Sequence, residues 1–189
     1  MNQNNTSGPL LVLVSLLISA PLLAHEGTTV RLDTTSRTVR IGSETHGWHQ
    51  QLSAWGRPDA MRPITPGCYH QEGARRWWDH RELQEWYEPV GAGALEQGFT
   101  IYAPPAHGEG PLTLALDTQT GAMTAQASDT QLSWRTPQGK LRYGDLVAWD
   151  ATGRLLPARM ALVDGTTTLS VDDLGAVYPV VIDPTKLSQ

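Results

Sequence analysis

Histidine residues are the part of this sequence best suited to metal chemistry. His25 follows Leu22-Leu23-Ala24, which offers a small residue at a plausible cleavage point for an exported protein. If cleavage exposes His25, its amino group and imidazole could chelate copper(II) together with a second histidine. The candidate partners are His46, His49, His70, His80 and His107. None of them stands in a diagnostic context, so an ordinary mature terminus is the simpler interpretation.

Tryptophan is unusually frequent, with seven residues, beside five tyrosines and a single phenylalanine. Such amphipathic rings suit sheet faces whose edges stay wet, and they also suit platforms on which sugars stack. The candidate ligand-binding residues are Trp77, Trp78 and Trp86, which would stack on a carbohydrate. Core or rim packing is the competing interpretation for most of the aromatic residues.

Carboxylates and the thiol offer weaker chemistry. Glu85, Glu88 and Glu96 lie near Trp86, but a glycosidase depends on the separation of its two carboxylates, which the sequence does not set. The single cysteine, Cys68, excludes an intramolecular disulfide. No nucleophile elbow, phosphate-binding loop, zincin helix, calcium loop or dinucleotide fingerprint occurs. We therefore expect no catalytic residues and no cofactor.

The elements that must position these residues begin with a targeting segment. Residues 1–24 are predicted to be a signal peptide, because Leu10 to Leu23 is an almost unbroken apolar run that is short for a membrane span. Residues 25–46 form a polar N-terminal segment, and residues 47–189 form a β-rich domain. We expect a secreted or cell-envelope protein with no membrane span after cleavage.

Strand signals dominate the remaining sequence. Short alternating runs, separated by turn residues every eight to twelve positions, predict an all-β fold, an antiparallel β-sandwich or meander with a loop-rich N-terminal half. Residues 143–184 are interpreted as a four-stranded antiparallel meander, in which Thr167, Leu169 and Val171 share one face. Residues 75–90 are interpreted as a hairpin around 79–82 rather than a helix. Residues 47–74 are poorly periodic, and their proline and glycine residues mark loops.

Several strings of residues resemble a recurring module. They are Glu85-Trp86-Tyr87, the run 93–100, the run 110–114, the stretches 141–144 and 149–159, and the string from Tyr178 to Pro184. Together they resemble the N-terminal β-rich module of secreted bacterial proteins with FG-GAP (integrin-α-like) repeats. In those proteins the last string leads into propeller blades, which do not follow Pro184 in this sequence. The resemblance implies an extracellular module rather than an enzyme, and it implies no catalytic residues.

These observations favour a non-catalytic structural or interaction module, secreted or at the cell surface. Two alternatives stay open: a carbohydrate-binding module that uses exposed Trp residues, and a copper-binding mono-oxygenase-like protein with His25 at its N-terminus. The expected partners are other surface proteins or polysaccharide. A formal net charge of −5 argues against nucleic acid, since a phosphate backbone needs a basic surface.

Overall fold

The fold of this chain is all-β, which confirms the predicted class. The computed structural model describes residues 30–41, 47–90, 94–121, 125–136 and 139–184. Within these ranges every regular element is a strand, and no helix is long and apolar enough to cross a membrane.

Sixteen strands follow one another along the described residues. They are β1 (Val30–Asp33), β2 (Thr38–Ile41), β3 (Trp48–Gly56), β4 (Arg62–Pro63), β5 (Cys68–Glu72), β6 (Arg75–Asp79), β7 (Leu83–Pro89), β8 (Leu95–Ile101), β9 (Leu112–Gln119), β10 (Ala125–Ser128), β11 (Gln131–Thr136), β12 (Gly139–Gly144), β13 (Val147–Trp149), β14 (Ala158–Val163), β15 (Thr166–Val171) and β16 (Val180–Asp183).

Two large antiparallel sheets and one small sheet make up the domain. The seven-stranded sheet has the order β1-β2-β3-β9-β15-β14, with β4 also paired to β3. The six-stranded sheet has the order β13-β16-β8-β7-β6-β5, and β10, β11 and β12 form the three-stranded sheet. Neighbours distant in sequence, such as β3 and β9, are paired in both large sheets, as expected for a sandwich rather than a simple meander.

One hydrophobic core joins the three sheets. The seven-stranded sheet contributes Trp48, Leu114 and Leu169, the six-stranded sheet contributes Phe99, and the small sheet contributes Trp134, all of them fully buried. Along β15 the buried residues alternate with more exposed ones, as successive side chains of a strand point to opposite faces. The predicted alternation in β15 is confirmed, since Thr167, Leu169 and Val171 are buried.

The hairpin interpretation of residues 75–90 is also confirmed. Strands β6 and β7 pair antiparallel, and Trp77 lies opposite Trp86. The connecting turn contains Arg81 with φ of 71°, and the backbone N–H of His80 donates to Leu83 O at 2.8 Å. The flanking sequence has the pattern of strands throughout, which is why it favours a pair of strands over a helix in this stretch.

The four-stranded meander expected for residues 143–184 was wrong. In the predicted meander only β14 and β15 form a hairpin, closed by Asp164 and Gly165 at positive φ. Strands β13 and β16 instead pair with each other in the opposite sheet. The poorly periodic stretch 47–74 contains, besides its loops, a nine-residue strand that was not predicted, β3, with a register shift between Leu52 and Ala54. That irregularity breaks the alternation that sequence reasoning relies on.

Candidate binding surface

A row of rings crosses the outer face of the six-stranded sheet, the face turned away from the core. His70 lies opposite Trp77, and Trp77 lies opposite Trp86, so the row spans β5, β6 and β7. The rings of His70 and Trp77 are stacked, with centroids 5.4 Å apart and planes 16° from parallel. Cross-strand aromatic pairs of this kind stabilise a sheet and also offer an edge to a ligand.

Trp86 is the covered member of this row. Its indole lies against Gly98, the directly opposite residue of β8, where the lack of a side chain makes room for it. The guanidinium of Arg75 lies 4.5 Å from the indole on the outer face of the sheet. Only 7% of Trp86 is exposed, so a ligand would meet Trp77 and His70 before it met Trp86.

Trp78 lies on the interior face of β6. It packs between Tyr69, at 5.2 Å between ring centroids, and Tyr87, at 5.9 Å, and it is 3% exposed. Neighbouring strand residues point to opposite faces, so Trp77 and Trp78 cannot both line one surface. The prediction that Trp78 contacts a ligand is therefore corrected, because this side chain belongs to the core.

Asp79 holds the border of the ring row in place. Its carboxylate accepts hydrogen bonds from Gln84 Nε2 at 3.2 Å and from the Tyr102 hydroxyl at 3.0 Å, and it lies 3.4 Å from His70 Nε2. Burial, together with the hydrogen bond to the Asp79 carboxylate and its charge, raises the pKa of Tyr102 to about 12. The phenol of Tyr102 thus stays a hydrogen-bond donor to Asp79 at neutral pH.

Glu85 faces the interior and forms the centre of a buried polar cluster. Its Oε1 accepts from the Tyr87 hydroxyl at 2.6 Å, and Gln97 Nε2 donates to the same hydroxyl at 2.8 Å. Its Oε2 lies 3.8 Å from Arg37 Nη1 and 3.5 Å from His80 Nε2. Burial, and then the charge of Glu85, raises the pKa of Tyr87. The cluster ties together parts of both large sheets.

Of the three glutamates considered for glycoside chemistry, neither Glu88 nor Glu96 forms a pair with Glu85. Glu85 is fully buried on the core side of β7, whereas Glu88 and Glu96 lie opposite each other on the outer face. Glu88 lies 3.9 Å from Arg75, with both side chains exposed. The alternation of β7 therefore separates Glu85 from the carboxylates nearest to it along the sheet.

A cleft of about 1040 Å³ opens at one end of the sandwich. It is lined by loop residues and by the ends of β14 and β15, among them Arg57, Pro104, Glu109, Arg159, Asp172 and Tyr178. We name this end of the domain, where the 57–60, 103–111, 150–157 and 172–179 loops meet, the loop end. Sequence reasoning did not find the cleft, because its lining comes from segments far apart in the chain.

Asp173 fixes the wall of the cleft. Arg57 donates to it through both terminal nitrogens, at 2.5 and 2.8 Å, and the Tyr178 hydroxyl donates at 2.6 Å. Arg57 Nη1 also donates to Gly110 O at 2.9 Å. Burial by itself raises the pKa of Asp173, but the hydrogen bonds from Arg57 and Tyr178 outweigh it and lower the pKa. Three loops are thus held together by one carboxylate.

Asp150 joins the two neighbouring loops in a similar way. Its side chain accepts from Thr152 Oγ1 at 2.6 Å, from the backbone N–H of Arg154 at 3.1 Å and from that of Val177 at 3.2 Å. The backbone N–H of Ala151 donates to Val177 O at 2.8 Å. The hydrogen bond from Thr152, with the backbone donors, holds the pKa of Asp150 well below its usual range. The 150–157 and 172–179 loops are therefore one rigid unit.

This rigid unit exposes three large aliphatic side chains, which we name the loop-end patch. Leu174 is 85% exposed, Leu155 is 70% exposed and Val177 is 51% exposed. Arg154 Nη2 donates to Leu174 O at 3.3 Å, which brings the two leucine-bearing loops together. The sequence carries one signal for this patch, an aliphatic residue at the centre of Asp173-Leu174-Gly175, where a turn would be expected to expose a polar one.

We expect the loop end to loosen in acid. Asp150 and Asp173 both have a pKa lowered by folding, so their contribution to stability is present above the unfolded value of about 3.9 and is lost as the pH falls below it. The free energy of unfolding from urea titrations, measured between pH 7 and pH 2.5, should fall less steeply in Asp173→Asn than in the wild type. Tyr178→Phe, which removes one donor, should give an intermediate slope, and equal slopes in all three proteins would contradict this assignment.

The structure describes only some of the residues proposed for metal and thiol chemistry. His25 and His46 lie outside the described residues, so the copper hypothesis stays a prediction. Among the described ranges no group of three or more His, Cys, Asp or Glu side chains is placed to hold a metal ion. His80 is buried, with Nδ1 2.8 Å from Thr65 O, and Cys68 is exposed on the edge strand β5.

Comparisons with protein-family models, with curated proteins and with solved structures find no match for this chain.

Proposed function

We propose that this chain is a non-catalytic interaction module, secreted or held in the cell envelope, that contacts a protein partner through its loop end. The observation that carries the proposal is the loop-end patch, where Leu155, Leu174 and Val177 are exposed at 51–85% on loops pinned by buried carboxylates. Exposed apolar side chains that cluster, rather than lie scattered, mark interaction sites. Leu174 of this patch also lines the cleft at the loop end.

The rigidity of these loops supports binding as their role. Ordering a flexible loop on association opposes binding, so a surface already held in one conformation binds more tightly. Asp150 and Asp173 supply that order before any partner arrives, through hydrogen bonds to both loops. The Arg57 and Asp173 side chains in the cleft are engaged with each other, which favours a structural rather than a chemical role for them.

The resemblance to the N-terminal module of FG-GAP proteins supports the same proposal and its extracellular location. Five of the residues that line the cleft belong to the strings on which that resemblance is based: Gly110, Pro111, Pro157, Arg159 and Tyr178. If the module has a common binding role, these strings would be expected to border the binding site. The predicted signal peptide is consistent with that location.

The proposal is tested by fractionation and by retention on envelopes. The full chain, expressed in a bacterial host, should be recovered outside the cytoplasm, and the purified protein should bind envelope preparations of the source organism in a saturable manner. Leu174→Asp should reduce that retention by about tenfold or more, since it places a charge in the centre of an apolar contact. Val163→Asp is the matched control, because Val163 is 63% exposed but lies at the other end of β14. Equal retention of both variants, or none for the wild type, would refute the proposal.

A second candidate function, carbohydrate recognition, is favoured by the stacked rings of Trp77 and His70 on the outer sheet face. Stacking of a sugar on an aromatic ring needs an accessible part of that ring. The half-buried indole of Trp77 offers one. On a polysaccharide panel, Trp77→Ala should abolish any retention that the wild type shows. Leu174→Asp should leave the retention on polysaccharide unchanged. If Leu174→Asp abolished the retention and Trp77→Ala did not, the binding would be assigned to the loop end.

A further inference from the structure

We propose that the cleft at the loop end binds an extended peptide segment of the partner, with an aliphatic side chain next to a basic one. This inference rests on the proposed function and specifies the chemistry of the partner. It follows from the shape of the cleft, from the charges that remain unpaired in it, and from the position of the loop-end patch on its border.

The walls of the cleft suit a peptide chain with an apolar side chain. Pro104, Pro111 and Pro157 form rigid apolar parts of the lining, and the half-buried Tyr178 and the exposed Leu174 complete it. A volume of about 1040 Å³ is at the upper end of the range for ligand pockets. Above Gly175 the space is open, since an added Cβ would meet no atom within 4 Å. An extended segment could therefore enter from this side and continue across Leu174.

The charges of the lining favour a basic ligand. Arg57 and Asp173 neutralise each other through a bidentate pair. Within the described part of the chain, the Glu109 and Arg159 side chains have no hydrogen-bond or ion-pair partner, and Asp172 accepts only the backbone N–H of Leu174. The lining of the cleft thus carries two carboxylates and one guanidinium that are not neutralised by an ion pair among the described residues. The excess of negative charge attracts a Lys or Arg side chain and disfavours an acidic segment.

The position of Leu174 links the apolar and the acidic parts of the site. Its backbone N–H donates to Asp172 Oδ1 at 3.2 Å, and its side chain is the most exposed large apolar group among the described residues. An aliphatic side chain of the ligand packed on Leu174 would bring the neighbouring residue of the ligand close to Asp172. This adjacency is the reason for expecting the aliphatic and the basic residue side by side in the bound segment.

A displayed library of linear peptides, selected on the immobilised full-length protein, tests the inference. We expect enrichment of an aliphatic residue adjacent to Lys or Arg, and a synthetic peptide of that sequence should bind in fluorescence polarisation. Leu174→Asp should weaken its binding at least tenfold, and Val163→Asp should not change it. The double variant Glu109→Gln and Asp172→Asn should weaken the same peptide, but not an analogue with norleucine in place of the basic residue.

The outcomes separate the two proposals. Enrichment of no common motif, or of an acidic one, would overturn the peptide inference, as would a selected peptide whose affinity is indifferent to Leu174→Asp. If envelope retention still depended on Leu174 in that case, the proposal of an interaction module would be retained and only the proposal of a peptide ligand would be rejected. If the selected peptide bound as expected but did not compete with envelopes, the inferred site would be assigned to a different partner and the proposed contact surface would fail.

Discussion

Replacing Glu85 with alanine should lower the free energy of unfolding by about 3–5 kcal/mol, the largest effect we expect from a single polar residue. The Glu85 carboxylate is fully buried and accepts a hydrogen bond from the Tyr87 hydroxyl, while Arg37 and His80 lie near its second oxygen. Its removal leaves the Arg37 guanidinium, 16% exposed, without its counter-charge in the interior. Urea or thermal unfolding monitored by tryptophan fluorescence would measure the loss.

Glu88→Ala is the matched control for this prediction. Glu88 lies on the same strand but on the outer face, and its pair with Arg75 is exposed. Exposed pairs contribute about 0–1 kcal/mol, so this variant should be nearly as stable as the wild type. Glu85→Gln keeps the shape and one acceptor oxygen and should fall between the two. If Glu85→Ala and Glu88→Ala were equally stable, the buried cluster would have no role in holding the two sheets together.

Adding a single methyl group at Gly98 should destabilise the domain by about 1–3 kcal/mol, even though alanine is ordinarily better than glycine inside a strand. A Cβ at this position would lie 2.0 Å from Cζ2 of Trp86, which is far inside van der Waals contact. The indole cannot yield easily, because it is 7% exposed and lies beneath the Arg75 guanidinium. Equilibrium unfolding of Gly98→Ala would give the value.

A double-mutant cycle isolates this contact from the general effect of the substitution. In a Trp86→Ala background the clash is gone, so Gly98→Ala should become neutral or stabilise by about 0.5–1 kcal/mol. The sign change between the two backgrounds is the expected result. If Gly98→Ala lowered the free energy of unfolding equally in both backgrounds, the backbone of β8, rather than the packing of Trp86, would require glycine at this position.

These two substitutions probe opposite faces of one strand pair and bear on function. Glu85 stabilises the interior, whereas the packing of Trp86 on Gly98 shapes the outer face that carries the ring row. Since neither residue belongs to the loop end, envelope retention by folded Gly98→Ala protein should match that of the wild type. Loss of retention in that variant would shift the contact surface from the loop end to the outer sheet face.

Local sequence patterns by themselves determined the class of fold and several of its hairpins. Alternation in β15 places one apolar face against the core, and Asp164-Gly165 allows the positive φ that a tight turn needs. Both signals lie within a few residues of the chain, which is why they can be read without coordinates. The nine-residue strand β3 was not predicted, because its register shift at Leu52 and Ala54 interrupts the alternation.

Only the tertiary structure decided which strands pair and which side chains reach solvent. Strands β13 and β16 pair in the other sheet, where Ala148, Val180 and Ile182 are buried, and this pairing depends on distant segments such as β8. Strand pairing also decides that Trp78 points into the core and Trp77 to the outer face, although the two residues are equivalent neighbours in the sequence. It also gathers Leu155, Leu174 and Val177 at one end, since burial depends on what packs against a residue and not on its own hydrophobicity.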